Sequence, residues 1–168
     1  RRVLFRSVYN KGNSINVILD NRITGMTGHQ DNPGTGYTLQ GLETETVNIE
    51  ALVKACGIKH VKVVDPNDLK ALTETLDWAY ALNEASVIIT RWPCVLKKLS
   101  KEDKEEFKDA FKEHCSVDHD KCIGCKKCLT TGCPAISFDK AKKKSNINKG
   151  TCVGCGICQQ VCPRSEER

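Results

Sequence analysis

The sequence predicts two structural classes in succession, an α/β part with a parallel sheet and a small cysteine-rich α+β part. Apolar runs and helical patterns alternate between residues 15 and 90, whereas eight of the eleven cysteines lie in two runs between residues 122 and 162. A highly charged stretch, residues 101–114, separates them. We therefore expect domains at 8–98 and 117–163, joined by a connecting helix at 99–116.

The two ends of the chain look foreign to the rest. Residues 1–7 and 164–168 can each be back-translated into one strand of a common short-read sequencing adapter, and the two strands are complementary. We expect both segments to be artefacts and the chain to be a piece of a longer protein. Three of the five net positive charges come from arginines in residues 1–7, which leaves two. So small a charge disfavours a nucleic-acid partner, and the run from Lys140 to Lys144 is expected to be a solvated hairpin face.

The α/β part begins with a continuous apolar run, Ile15 to Asp20, as in a strand buried inside a parallel sheet. A polar loop rich in glycine and threonine, residues 20–34, follows it. Residues 47–56 show a helical apolar pattern that Gly57 should stop. Ligands in parallel sheets collect beyond the carboxyl ends of the strands, so the 20–34 loop is the expected ligand loop.

The second strand is predicted at His60 to Val64 and the third at Ser86 to Thr90. Between them, Asp65 and Pro66 offer an N-cap and a first-turn proline for a helix ending near Asn83. One face of this helix is apolar: Leu69, Leu72, Leu76 and Tyr80. Alternating strands and helices imply parallel pairing through right-handed crossovers. With three strands in under a hundred residues, we expect this part to need further chain to complete its core.

The connecting helix is predicted to start after Ser100, which is a suitable N-cap. It would run from Lys101 to His114 with only a narrow apolar stripe, formed by Phe107, Ala110 and Phe111.

The two cysteine runs share one pattern. Three cysteines are separated by two residues each, and a fourth precedes a proline: Cys122, Cys125, Cys128 and Cys133, then Cys152, Cys155, Cys158 and Cys162. Three thiolates at this spacing can wrap three corners of one 4Fe-4S cluster, and in two-cluster ferredoxins the cysteine before proline ligates the other cluster. We therefore assign Cys162 to the cluster of the first three cysteines, and Cys133 to that of Cys152, Cys155 and Cys158. The thirty-residue offset between the runs makes them an internal repeat, with Gly124 and Gly154 at matching places.

Two other uses of these cysteines fit less well. Structural zinc usually draws on two separated Cys-x-x-Cys pairs or on cysteine with histidine. A disulfide framework needs an oxidising compartment, and the sequence shows no signal peptide and no apolar segment of membrane length. Cys56, Cys94 and Cys115 lie outside the runs and are expected to be ordinary buried or partly buried thiols instead of ligands.

Several segments together resemble a known family. They are residues 18–21 (Ile-Leu-Asp-Asn), 24–30 (Thr-Gly-Met-Thr-Gly-His-Gln), 57–61, 87–91 and both cysteine runs. They are similar to the large subunits of indolepyruvate ferredoxin oxidoreductases, in the thiamine-diphosphate-dependent 2-oxoacid:ferredoxin oxidoreductase superfamily. The resemblance implies the C-terminal part of a thiamine-diphosphate-binding parallel-sheet domain, followed by a bacterial-type two-4Fe-4S ferredoxin domain (α+β).

The resemblance also implies roles for the loop. The Asn21 side chain and the Ile23 carbonyl would ligate the Mg²⁺ that holds the cofactor's diphosphate, as suits a hard cation. Gly25, Met26 and Thr27 would run beside the thiamine, with Met26 supporting its bent conformation. Without the family, a turn role would be the default for Asn21. His29 is a candidate for direct chemistry, against packing or hydrogen bonding as the alternative.

The activity implied by the resemblance is oxidative decarboxylation of aryl pyruvates to acyl-coenzyme A, with electrons passed through two 4Fe-4S clusters to ferredoxin. A small (beta) subunit, coenzyme A and a cytoplasmic, anaerobic setting are implied with it, and no membrane or nucleic acid. The family's second metal-binding aspartate and its thiamine-activating glutamate have no counterpart here, so the catalytic residues are unknown and the chain alone should be inactive. Two alternatives stay open: another 2-oxoacid oxidoreductase, such as one acting on phenylglyoxylate, and a non-catalytic ferredoxin-type electron-transfer subunit.

Overall fold

A computed structural model of the protein describes residues 2–108 and 113–165, which fall into two compact units on either side of Lys108. The first unit contains helices α1 (Arg2–Tyr9), α2 (Ile49–Ala55), α3 (Leu69–Tyr80) and α4 (Lys101–Glu106), and strands β1 (Ile15–Asp20), β2 (His60–Val64) and β3 (Ser86–Arg91). None of the helices in the described ranges is both long and apolar enough to cross a bilayer.

The three strands of the first unit form one parallel sheet in the order β1-β3-β2, which confirms the predicted pairing. The last of them in sequence, β3, lies in the centre, and its residues from Ser86 to Thr90 are all buried. Because β1 ends at Asp20, the polar loop emerges at the carboxyl edge of the sheet, where the sequence analysis expects it.

Helices cover both faces of this sheet. On one face α1 and α2 pack over a core that includes Leu4, Val53 and Ile89. On the other face α3 packs over Ile88. The outer strand β1 keeps exposed apolar side chains, among them Leu19 at 77% exposure. Leu4, one of residues 1–7, is buried in this core. The adapter origin expected for residues 1–7 stays a prediction.

The helix boundaries correct two predictions. The N-cap of α3 is Asp68, whose side chain accepts a hydrogen bond from the Ala71 backbone N–H at 2.9 Å. Asp65, predicted as the cap, instead accepts one from the Asn67 N–H at 2.8 Å, which closes a turn ahead of the helix. The helix ends at Tyr80, which is 77% exposed and does not belong to the buried face.

The predicted connecting helix is also shorter than expected. Ser100 caps α4 as predicted, through a capping box with Asp103, but α4 ends at Glu106 and lies in the first unit. Residues 113–116 have no regular secondary structure. Ala110 and Phe111, predicted to continue its apolar stripe, lie outside the described residues.

The second unit is built around the two cysteine runs. It contains a 3₁₀ helix (Lys127–Thr131), an antiparallel hairpin of β4 (Ile136–Asp139) and β5 (Lys144–Ile147), and the short helix α5 (Ile157–Val161). The 3₁₀ helix and α5 each contain the third cysteine of a run, Cys128 and Cys158, and start thirty residues apart. The internal repeat seen in the sequence is therefore also a repeat of local structure.

Candidate functional site

The eight cysteines of the two runs surround two cavities in the second unit. One cavity, of about 310 Å³, is lined by Cys122, Cys125, Cys128 and Cys162, and Cys158 also reaches its edge. The fold thus brings the last cysteine of the second run to the first three cysteines of the first run.

The other cavity, of about 160 Å³, is lined by Cys133, Cys152, Cys155 and Cys158. The two sets correspond to the crossed pairing expected from the sequence. The ligand assignment itself stays a prediction, which this arrangement supports.

The backbone of each cysteine run passes close to another segment of the same chain. Gly124 and Gly154 adopt left-handed φ values of 68° and 70°. A Cβ atom on Gly124 would collide with the carbonyl oxygen of Lys143, and one on Gly154 with that of Glu113. Glycine is required at both places for its φ angle and for the missing side chain.

The donor set fits clusters better than a single metal ion. Across residues 2–108 and 113–165, no group of three or more His, Cys, Asp or Glu side chains is arranged to hold one ion. Structural zinc needs four ligands about 2.0–2.3 Å from one atom. The thiols surround volumes instead of converging on a point, as ligands of a multi-iron centre must.

The pKa values of two thiols show how the environments differ. Burial, followed by the neighbouring Cys115, raises the pKa of Cys158 to about 12. Hydrogen bonds from the backbone N–H groups of Ser145 and Gly124 lower the pKa of Cys122. A thiolate at Cys158 therefore needs a nearby positive charge, which the iron of a cluster would supply.

Three further side chains lie around the cavities. Cys115 is buried, as expected of an ordinary thiol, and it also lines the second cavity. Lys144, expected on a solvated face, donates through Nζ to the backbone carbonyl of Cys122. His114 lies with Nδ1 2.7 Å from the carbonyl oxygen of Cys152. The thirty-residue offset of the repeat relates residue 114 to residue 144 and residue 115 to residue 145. This offset is the signal in the sequence that could have indicated these positions.

The polar loop of residues 20–34 leaves β1 through a tight turn. Asn21 Oδ1 accepts a hydrogen bond from the Ile23 backbone N–H at 3.2 Å, and the Asn21 carbonyl accepts one from Cys94 N–H at 3.0 Å. Arg22, between them, has a left-handed φ of 59°. The Asn21 amide oxygen has a second lone pair, so this turn leaves it able to bind a cation as well.

Buried charges hold this turn in place. The Arg22 side chain is 8% exposed and pairs with Asp103 at 3.5 Å and with Glu106 at 2.5 Å, both near or within α4. Asp20 is buried and accepts a hydrogen bond from Arg91 Nε at 2.9 Å. Its carboxylate is thus neutralised by arginine. Sequence reasoning missed these partners because they lie far along the chain.

The rest of the loop is open to solvent. Thr24 and Gln30 pair as an isolated antiparallel bridge, and the Thr27 hydroxyl lies 2.7 Å from Gln30 Oε1. Met26 is 99% exposed, and His29 is exposed as well. The loop roles of Gly25, Met26 and Thr27 stay predictions.

Comparison with known proteins gives two family matches and several relatives. The family described as thiamine pyrophosphate enzyme, C-terminal TPP binding domain, matches residues 3–90. The 4Fe-4S dicluster domain matches residues 114–163. No solved structure gives a significant match.

The relatives are redox enzyme subunits. The chain is 42% identical over 161 residues to the indolepyruvate oxidoreductase subunit IorA of Thermococcus kodakarensis, covering 95% of this chain and 24% of that protein. It is 37% identical over 161 residues to the IorA subunit of Archaeoglobus fulgidus, covering 95% and 25%. The NADH-dependent phenylglyoxylate dehydrogenase subunit delta of Aromatoleum evansii is 38% identical over 52 residues, covering 31% of this chain and 55% of that subunit.

The chain spans about a quarter of the length of its IorA relatives. Both predicted parts have their counterpart in the family matches, so the resemblance inferred from the sequence is confirmed. The chain belongs to the thiamine pyrophosphate enzymes, with their C-terminal TPP-binding domain followed by a 4Fe-4S dicluster domain.

Proposed function

We propose that this chain is the C-terminal part of the large subunit of an indolepyruvate:ferredoxin oxidoreductase. The reaction would be oxidative decarboxylation of aryl pyruvates to acyl-coenzyme A. Partners would be a small (beta) subunit and ferredoxin, in the cytoplasm of an anaerobe. The supporting observation is that a thiamine-enzyme domain and a two-cavity cysteine module occur in one chain, with 42% identity to an IorA subunit over 95% of its length.

The proposed electron path uses the two cysteine cavities. Cys122, Cys125, Cys128 and Cys162 would hold one 4Fe-4S cluster, and Cys133, Cys152, Cys155 and Cys158 the other. In this crossed pairing each cluster would take three cysteines from one run and one from the other, which would tie the two clusters into one module. Each cluster passes single electrons, so the module would carry the two electrons of the reaction away one at a time.

The proposed cofactor contacts lie on the loop after β1. Asn21 Oδ1 and the Ile23 carbonyl would bind Mg²⁺, and Met26 would pack against the thiamine. Thiamine diphosphate supplies the carbanion chemistry when bound. The role of this chain would be to hold these two oxygen atoms on a turn that Arg22 anchors. The metal ion that binds the diphosphate would then have rigid ligands.

The cluster assignment is tested by anaerobic reconstitution of the chain. About eight irons and eight sulfides should bind per chain. Cys133→Ala and Cys162→Ala should each impair one cluster only, and the two losses should differ by electron paramagnetic resonance. Tetrahedral zinc in place of iron, or a Cys162→Ala variant that impairs the cluster of Cys152, would refute the assignment.

The thiamine assignment needs the large subunit in full with its small partner. Asn21→Ala should weaken Mg²⁺-dependent binding of thiamine diphosphate at least tenfold, because one of two protein ligands on this loop is removed. Asn13→Ala, an exposed asparagine just before β1, is the matched control. Equal binding in both variants would contradict the role of Asn21.

Substrate assays separate the proposed function from its nearest rival. The similarity to a phenylglyoxylate dehydrogenase subunit favours a second candidate, an oxidoreductase for phenylglyoxylate. The completed enzyme should reduce ferredoxin with indolepyruvate and coenzyme A at a higher kcat/KM than with phenylglyoxylate. The reverse preference would favour the second candidate. No saturable binding of thiamine diphosphate would favour an electron-transfer subunit without catalysis.

A further inference from the structure

The internal repeat of the second unit extends beyond its cysteine runs. The offset of thirty residues that relates the runs also relates Glu113 to Lys143. Their carbonyl oxygens occupy matching places, Lys143 against Gly124 and Glu113 against Gly154. A second pair of backbone segments, starting at residues 113 and 143, therefore packs over the two runs in the same way.

The second residues of these two segments, His114 and Lys144, also make equivalent contacts. Lys144 donates through Nζ to the carbonyl of Cys122. His114 places Nδ1 2.7 Å from the carbonyl oxygen of Cys152. A ring nitrogen facing a carbonyl oxygen must carry the hydrogen, so both side chains donate to the first cysteine of a run.

The third residue of each segment reaches a cavity. Ser145 is 2% exposed, lines the first cavity, and places its Oγ 3.2 Å from Cys128 Sγ. Cys115 is 7% exposed and lines the second cavity, where its thiol neighbours those of Cys158 and Cys152. Cys128 and Cys158 are both third cysteines of their runs. The two sites thus differ at one equivalent atom, a hydroxyl oxygen at one and a thiol sulfur at the other.

This difference bears on the reduction of the clusters. Reduction adds one negative charge to a cluster, and a hydrogen bond to a ligand sulfur stabilises the reduced form. A hydroxyl is a good donor, whereas a thiol is a weak one. Once Cys128 ligates iron as a thiolate, the Ser145 hydroxyl can turn to donate to it.

We propose that Ser145 and Cys115 are equivalent positioning residues that set unequal reduction potentials, so that the cluster beside Ser145 is the more easily reduced. Neither is a ligand in this scheme, although Cys115 is a fifth thiol at its cavity. The lysine beside the first cavity acts in the same direction, since its positive charge also favours the reduced state. A single electron that enters the module therefore reduces the cluster ligated by Cys122. The inference rests on the cluster assignment in the proposed function.

The test is a redox titration of the reconstituted full chain, followed by electron paramagnetic resonance. Ser145→Ala should lower the higher of the two potentials, and Cys115→Ser should raise the lower one. Each change should correspond to about a tenfold change in the equilibrium constant for reduction, which is about 59 mV for a one-electron couple. Ser137→Ala, an exposed serine on β4 that lines neither cavity, is the control and should move neither potential.

The possible results distinguish this inference from the one it rests on. Variants that keep about eight irons with both potentials unmoved overturn the role of Ser145 and Cys115 while leaving the clusters in place. Loss of iron from Cys115→Ser also overturns it, because Cys115 would then be a ligand. Fewer than about eight irons in the unaltered chain refutes the cluster assignment itself, and this inference with it.

Discussion

Replacing Asp103 by asparagine should destabilise the first unit more than any surface change. The side chains of Lys97 and Asp103 are each only 2% exposed, and they form an ion pair. Lys97 Nζ also donates to the Thr35 carbonyl at 3.0 Å, and Arg22 Nε lies 3.5 Å from Asp103. An Asp103→Asn change keeps the shape but leaves a buried ammonium without its counter-charge.

The expected loss is about 3–5 kcal/mol in the free energy of unfolding, the range for removing one partner of a buried pair. A domain has only about 5–15 kcal/mol in total, so the variant should be close to unfolding. Replacing both partners, as Lys97→Met with Asp103→Leu, should recover part of the loss, because the buried ammonium is removed and Arg22 keeps Asp20 and Glu106 as partners. About 1 kcal/mol of the free energy of unfolding should still be lost, because the leucine cannot accept the capping-box hydrogen bond that Asp103 accepts from the Ser100 N–H.

Denaturant unfolding followed by tryptophan fluorescence measures this change. Both tryptophans of the chain, Trp78 and Trp92, lie in the first unit, so the signal reports that unit. Lys59→Met is the control, because Lys59 pairs with Glu84 at 3.2 Å on the surface and should contribute under about 1 kcal/mol. The reasoning is wrong if Asp103→Asn costs less than about 1 kcal/mol, or if the double variant is as unstable as the sum of the singles.

Three further predictions concern the loop and the cysteine module. Arg22→Gln should weaken Mg²⁺-dependent thiamine diphosphate binding in the complete subunit several-fold, measured by calorimetry, since the turn loses its anchor in α4. Gly154→Ala should lower the iron content of the reconstituted chain through its clash with a carbonyl, whereas Gly132→Ala, with a similar positive φ but open space, should keep it. In the cluster-free chain at pH 8, iodoacetamide should label Cys122 faster than Cys158, because the pKa of the first is lowered and that of the second is raised to about 12. Equal labelling rates by mass spectrometry would contradict the last.

The strands and the cysteine runs could be predicted because their signals are local. A continuous apolar run such as Ile15 to Asp20 indicates a buried strand, and the Cys-x-x-Cys spacing limits which sulfurs can share one cluster. The central place of β3 has no such signal, because the order of parallel strands depends on crossovers and packing. The start of α3 was misplaced by one turn for a local reason: two aspartates compete, and Asp65 is used up in a turn.

The buried ion pairs could not be predicted from the sequence for a different reason. Arg22 and Glu106 are 84 residues apart, and a charged side chain is expected on the surface unless its partner is known. The place of Cys115 at a cavity has no signal in the cysteine pattern, because the residue thirty positions further along the chain is Ser145 and not a cysteine. Repeats of structure can conserve a position while changing its atom.

The position of α4 has a consequence for where the thiamine domain ends. The boundary predicted from the sequence lies at Lys98, before the charged stretch. A chain cut there would keep Arg22 and Lys97 but lose Asp103 and Glu106, so Lys97 would lose its carboxylate partner and Arg22 would keep only Asp20. Each such loss costs several kcal/mol, as much as the domain can supply. The turn that carries the proposed metal ligands is thus built from both ends of the first unit, of which α4 is a part.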